Sequence, residues 1–159
     1  MSVSEGPKEG QAMPDIAMIR HDGEEVKPSD YRGKKLVMFF YPKDNTPGCT
    51  TEAKDFSALK AEFESAGCAL LGISKDSTKK HQNFIAKHDL TVDLATDAEE
   101  GGLSDELGVW AEKKMYGKTF MGMVRSTYLL DADGKIARVW PKVKVAGHAE
   151  EVLAAAQEL

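Results

Sequence analysis

The chain has 159 residues, of which 42% are hydrophobic and 30% charged, enough for one domain with an ordinary core. That balance excludes a disordered or fibrous protein, and no apolar run approaches the roughly 20 residues of a membrane span. Lys and Arg total 21 against 26 Asp and Glu, a net charge of -5, which argues against nucleic acid or an anionic membrane as main partner.

Two cysteines make no disulfide scaffold, and the opening MSVSEGPKEGQAMPD has no apolar core of the kind a secretory signal needs. Both features point to a reducing compartment, the cytoplasm. Residues 1–12 are polar and read as a loosely packed extension of a single domain spanning 1–159. Ile16 to Ile19 begins an N-terminal hairpin that turns at His21-Asp22-Gly23 and returns through Val26. Leu36 to Tyr41 is six apolar residues stopped by Pro42, the mark of a strand buried on both faces.

Residues 47 to about 65 carry one helical pattern through Ala53, Phe56, Leu59, Ala61 and Phe63, closed by Gly67. Ala69 to Ile73 is a second buried strand. A helix from Ser77 to His88 and a short strand at 92–95 follow. After a short helix over 102–107, residues 108–123 read as a long connection rich in Gly, Met and aromatics. Ser126–Leu130 and Ile136–Trp140 flank a turn at Asp131-Ala132-Asp133-Gly134, and an amphipathic helix runs from His148 to the end. The order gives an α/β domain, a central mixed sheet flanked by helices, compatible with a thioredoxin-like sandwich. Periodicity alone does not separate that from other small α/β folds.

The segment that carries chemistry is Tyr41-Pro42-Lys43-Asp44-Asn45-Thr46-Pro47-Gly48-Cys49-Thr50-Thr51-Glu52-Ala53. It joins the carboxyl end of a buried strand to a helix start, where open α/β sheets place their sites. Thr46 suits the N-cap and Pro47 the first helical position. Cys49 then falls in the first turn, where unpaired N–H groups and the helix dipole favour thiolate, the reactive form. Gly48 lets the backbone approach a small substrate, and Thr46 can turn its hydroxyl toward the sulfur. A buried structural cysteine is the competing reading. For Arg125 the competing reading is a strand arginine paired with a surface carboxylate, and for Glu52 a first-turn carboxylate favoured by the dipole.

Pro42-x-x-x-Thr46-x-x-Cys49 resembles the active-site pattern of the peroxiredoxins, and the string YPKDNTPGCTTEA resembles their Q-type branch, the bacterioferritin comigratory proteins. The resemblance runs over nearly the whole chain, including Leu71-Gly72-Ile73-Ser74 and Arg125-Ser126-Thr127-Tyr128-Leu129-Leu130-Asp131. It implies a thioredoxin fold and reduction of hydrogen peroxide and alkyl hydroperoxides by a cysteine thiolate, without cofactor or metal. By the same resemblance Cys49 is the peroxidatic nucleophile and Thr46 hydrogen-bonds the peroxide. Pro42 shields the sulfenic acid, and Arg125 keeps the thiolate ionised and polarises the peroxide. Glu52 is a further candidate, orienting Arg125. The N–H groups of Gly48 and Cys49 complete the donors for developing negative charge.

The sequence departs from the branch in one respect. The resemblance implies a second cysteine five residues after the first, and Lys54 stands there. Cys68 opens an apolar run and reads as a buried small hydrophobe at the far end of the long helix, out of disulfide reach. No disulfide is therefore expected. The expectation is a one-cysteine cycle resolved by an external thiol: thioredoxin, glutaredoxin or glutathione. A non-catalytic redox sensor or holdase with the same reactive cysteine is the alternative. His21, His81, His88 and His148 show no ligand spacing for a metal. The apolar residues Trp110, Met115, Tyr116, Phe120, Met121 and Met123 read either as a loop folded over the core or as a rim for alkyl hydroperoxides or a dimer contact. The expected state is a monomer or weak homodimer.

Overall fold

A computed structural model describes residues 8–159. The chain runs β1 (Met18–Arg20), β2 (Glu25–Val26), a 3-10 turn (Pro28–Tyr31), β3 (Lys35–Phe40), α1 (Pro47–Ala58), α2 (Lys60–Ser65), β4 (Cys68–Ser74), α3 (Thr78–His88), β5 (Asp93–Thr96), α4 (Leu103–Leu107), β6 (Trp110–Met115), β7 (Lys118–Met123), β8 (Ser126–Leu130), β9 (Ile136–Trp140) and α5 (His148–Glu158). Seven strands form one sheet in the order β2-β1-β5-β4-β3-β8-β9. The central pairs β3–β4 and β4–β5 are parallel, as the two strand–helix–strand crossovers require, and the outer pairs are antiparallel. This is the thioredoxin-like mixed sheet expected from the sequence.

The continuous apolar run of β3 is explained by its central position. Val37, Phe39 and Tyr41 face one core with Phe56 of α1, Phe63 of α2, Phe84 of α3 and Val152 of α5. Leu36, Met38 and Phe40 face another with Leu103 and Leu107 of α4. Full burial of such side chains is worth roughly 1.5–3 kcal/mol each, so β3 anchors the domain from both sides. Gly72 in β4 makes room for the Phe39 ring, since a Cβ there would lie 2.6 Å from Phe39 Cζ. Among the described residues no helix is long and apolar enough to cross a membrane.

Three expectations need correction or completion. The single helix over 47–65 is two, broken at Leu59. No Gly or Pro marks the break. The Ser57 carbonyl accepts a hydrogen bond from the Thr91 hydroxyl at 3.2 Å, and Ser57 Oγ accepts from Thr91 N–H, which diverts the last turn of α1 from continuing. The long connection over 108–123 is mostly a hairpin, with β6 and β7 paired from Trp110↔Met123 to Met115↔Lys118. Its turn residues Tyr116 and Gly117 both have positive φ, 55° and 74°, as a tight hairpin turn demands. The expected N-terminal extension lies outside the described residues up to residue 7. Beyond it, the Gly10 N–H bonds to the Ile136 carbonyl at 2.7 Å, so residues 8–12 run along β9.

Candidate active site at the mouth of helix α1

The site forms where the carboxyl end of β3 meets the amino end of α1. Thr46 is the N-cap by backbone position, with ψ 153°, and Pro47 begins the helix. The Thr46 hydroxyl does not cap: it donates to the Lys43 carbonyl at 2.8 Å. That bond uses its one proton and leaves oxygen lone pairs to accept from another donor. The first bond across the cap is Thr50 N–H to Thr46 O at 2.9 Å. The N–H groups of Gly48 and Cys49 precede it and have no helical acceptor.

Cys49 is buried, 1% exposed, in the core cluster that also holds Tyr41, Ala53 and Phe56. A charged group nonetheless reaches it from the strand next to β3. Arg125, just ahead of β8, donates from Nη2 to Cys49 Sγ at 3.3 Å and from Nη1 to Glu52 Oε1 at 2.7 Å. The two nitrogens of one planar fork thus address both groups on one turn of α1. Burial disfavours the Arg125 charge, but Cys49 and Glu52 outweigh it and raise the guanidinium further above its ordinary value. The Arg125 carbonyl accepts from Val143 N–H at 2.9 Å and so fixes the backbone beneath the fork.

Glu52 is not a solvated first-turn carboxylate. It is 1% exposed, and its Oε2 is buried without a hydrogen-bond partner. Burial pushes its carboxyl up to about 7, with Arg125 pulling the other way. Gly48 packs against the same guanidinium: a Cβ there would lie 3.1 Å from Arg125 Nη2. Pro42 is half-buried on the loop that leads into the helix. The structure therefore brings Gly48, Cys49, Glu52 and Arg125 together, with Pro42 and Thr46 on the adjoining loop.

Cys68 lies elsewhere. It pairs in register with Lys35, at the start of β3, whereas Cys49 follows the end of that strand. Five steps of roughly 3.3 Å separate those ends, well beyond the ~7 Å that disulfide Cα atoms allow. Both thiols are free, and burial pushes that of Cys68 up to about 12. Among the described residues no cluster of three or more His, Cys, Asp or Glu is placed to hold a metal ion.

Sequence reasoning missed the support of the loop. Asp44 is buried between Tyr41 Oη, which donates to Oδ1 at 2.6 Å, and His81 Nδ1, 2.7 Å from Oδ2. Asp44 and His81 are 37 positions apart, and no local spacing announces the pair. Lys113 of β6 was also missed. Burial lowers its ammonium below the ordinary value, Arg125 adds to that, and Cys49 opposes it, so the hairpin brings a second cation toward the site.

The AhpC/TSA family model matches residues 10–139. Peroxiredoxin Bcp of Xanthomonas campestris pv. campestris is 48% identical over 141 residues, covering 89% of this chain and 88% of the relative. Peroxiredoxin Bcp of Bacillus subtilis is 46% identical over 144 residues, covering 91% of each. Among solved structures, the bacterioferritin comigratory protein of Xanthomonas campestris, described for alkyl peroxide reduction, superposes with a TM-score of 0.87. It is 43% identical and the match covers 95% of this chain and 98% of that one. A PrxQ mutant of Xylella fastidiosa gives 0.90 at 36% identity, covering 97% and 98%. With the fold, the helix-mouth thiol and this likeness agreeing, the chain belongs to the AhpC/TSA family, as a thiol-dependent peroxidase of the bacterioferritin comigratory, or Q, type.

Proposed function

We propose that this peroxidase reduces hydrogen peroxide and alkyl hydroperoxides through Cys49 in a one-cysteine cycle. The observation that carries the reading is the Arg125 fork, whose two nitrogens lie 3.3 Å from Cys49 Sγ and 2.7 Å from Glu52 Oε1. A fixed cation beside the sulfur, with the donors around it, meets the charge that develops on the peroxide.

The Cys49 thiolate attacks one peroxide oxygen, and the O–O bond breaks. The other oxygen leaves with the electron pair, takes a proton and departs as water or alcohol, leaving Cys49 as sulfenic acid. Arg125 and the N–H groups of Gly48 and Cys49 stabilise the charge on the reacting oxygens. The Thr46 hydroxyl, its proton committed to Lys43, accepts from the peroxide O–H. Pro42 covers the site from solvent, and Glu52 holds Arg125.

One external thiol then condenses with the sulfenic acid to a mixed disulfide, releasing water. A second attacks that disulfide and restores the Cys49 thiolate. The two thiols supply the two electrons and leave as a disulfide. Thioredoxin, glutaredoxin and glutathione fit this role, since the only other cysteine sits at the opposite end of β3. The whole chain acts as one domain, in the cytoplasm, as a monomer or weak homodimer, and it needs no cofactor, nucleic acid or membrane.

The test is intact mass without reductant after one equivalent of hydrogen peroxide. A gain of about 16 Da at Cys49 is the expected result. A loss of about 2 Da, an internal disulfide, would overturn the one-cysteine cycle.

A further inference from the structure

Three buried polar side chains beneath the active-site loop take no part in the chemistry above. Tyr41 Oη donates to Asp44 Oδ1 at 2.6 Å, His81 Nδ1 lies 2.7 Å from Asp44 Oδ2, and His81 Nε2 lies 3.1 Å from the Ala95 carbonyl. A carbonyl only accepts, so Nε2 carries a proton, and the Nδ1–Oδ2 contact needs one more of its own. Every polar atom of the trio is thus satisfied inside the core, where a half-satisfied network would be costly. Such a network is hard to form and specifies one geometry.

Asp44 stands two residues after Pro42 and two before Thr46. Its own N–H donates to Asp76 Oδ2 at 2.8 Å, and Asp76 is held by the Ser74 hydroxyl at 2.8 Å. Asn45, at φ 63°, sets its Oδ1 3.1 Å from His88 Nε2. The loop is therefore tied to the ends of β4 and β5 and to α3. None of these ties reaches α1. The first turns of α1 are held separately, by Arg125 through Cys49 and Glu52. Two clamps meet at Thr46, one on each side.

We propose that Tyr41, Asp44 and His81 are positioning residues for the peroxide. They fix Pro42 and Thr46 against the sheet, so that the peroxide-contacting loop keeps its place whatever the first turn of α1 does. This rests on the reading that Pro42 and Thr46 flank the bound peroxide. It divides the cycle: the trio serves attack on peroxide and is not needed when a thiol reduces the oxidised sulfur. Displacement of a contacting group by about 1 Å lowers a rate as much as 10²-fold.

The test measures the two half-reactions separately on the full chain: oxidation of Cys49 by hydrogen peroxide, and reduction of preformed Cys49 sulfenic acid by dithiothreitol. Asp44→Ala is expected to slow oxidation about 20-fold or more and to leave reduction within about twofold. Asp44→Asn, whose amide oxygen can accept from Tyr41 and whose NH₂ can donate to a neutral Nδ1, is expected to restore oxidation to within about threefold of the natural protein. Tyr41→Phe, which keeps the ring and removes the hydroxyl with its bond to Asp44 and its 3.4 Å contact with His81 Nδ1, guards against Asp44→Ala failing to fold; its expected loss is about three- to tenfold, again in oxidation alone. Ile136→Ala, in the core at β9 and outside the site, provides a matched loss of thermal stability. The proposal is overturned if the Asp44→Ala oxidation rate equals that of Ile136→Ala, if Asp44→Asn loses as much as Asp44→Ala, if Tyr41→Phe oxidises at the natural rate, or if both half-reactions fall together. Absence of Cys49 sulfenic acid in the natural protein would instead refute the peroxidase reading itself.

Discussion

Arg125 Nη2 lies 3.3 Å from Cys49 Sγ, and Gly48 leaves the space in which that nitrogen sits. The sulfur is 1% exposed, so it meets the guanidinium in surroundings poor in water, where a fixed charge acts strongly. Arg125→Ala should lower the second-order rate with hydrogen peroxide about 10²–10³-fold, the usual cost of removing one preorganised donor. Arg125→Lys should recover little of it, because one ammonium does not span Cys49 and Glu52 as the two-nitrogen fork does. Stopped-flow kinetics at fixed ionic strength would check both; a Lys variant at the natural rate would mean that charge alone suffices.

Glu52 predicts an unusual pH dependence of stability. Its carboxyl is pushed from 4.5 to about 7 in the fold by burial. A raised value means that the folded state binds the extra proton between those limits, so its contribution is fully present below about pH 4.5 and is lost as pH rises through 7. Glu52→Gln should flatten that slope, with a difference on the order of 1–3 kcal/mol between pH 5 and pH 8 in chemical unfolding. Parallel slopes for the two proteins would show that Glu52 is ionised throughout.

His148 works in the opposite direction within nearly the same window. Burial lowers its imidazole from 6.5 to about 4, while its Nε2 lies 2.9 Å from the Thr127 hydroxyl and its ring packs edge-on to Phe56 and Trp140. The unfolded chain therefore takes up the proton first, and stability falls as pH drops from about 6.5 toward 4. In the Glu52→Gln background this acid-side loss should no longer be opposed by Glu52. A thermal melting series from pH 4 to pH 7 would show the midpoint rising steadily with pH, and a midpoint that fell instead would contradict the neutral buried imidazole.

What could be read in the sequence was what local pattern encodes. The six-residue apolar run Leu36–Tyr41 and the Thr-Pro-Gly-Cys turn state their own geometry, and the strand–helix alternation gives the parallel centre of the sheet. The hairpin β6–β7 was hidden for two reasons. Its turn places Tyr116, rather than Asn or Gly, at positive φ, and alternation is blurred because Trp110 and Met123 pack inward while Met115, Phe120 and Met121 stay exposed. The break at Leu59 depends on Thr91, and the burial of Asp44 and Glu52 depends on His81 and Arg125, all distant in sequence. Charged residues on a helix mouth or loop read as solvated until the fold supplies the partner that lets them be buried.

The two thiols should separate cleanly. Cys49→Ser removes the nucleophile and should abolish peroxide turnover. Cys68→Ser should leave turnover with an external thiol within about twofold, since Cys68 sits at the start of β4 and far from Cys49. Its cost should appear in stability instead: a hydroxyl in that buried position without a strong partner costs roughly 1–3 kcal/mol, readable by urea unfolding. Loss of turnover with an intact fold would assign Cys68 a redox role that its place at the opposite end of β3 does not support.

Gly48→Ala tests the site at its tightest contact and should split stability from activity. Position 48 is helical and has no positive φ, so alanine suits the backbone and should stabilise the chain by ~0.4–1 kcal/mol through the unfolded state. Its methyl, however, would lie 3.1 Å from Arg125 Nη2 and must push the guanidinium aside by a few tenths of an ångström. Because the same nitrogen addresses Cys49 Sγ, the reaction with peroxide should slow by roughly 3- to 10-fold. Unfolding and peroxide kinetics on the same preparation would decide it. A variant that is more stable and equally fast would show that the Arg125 fork tolerates displacement, and that its charge matters more than its aim.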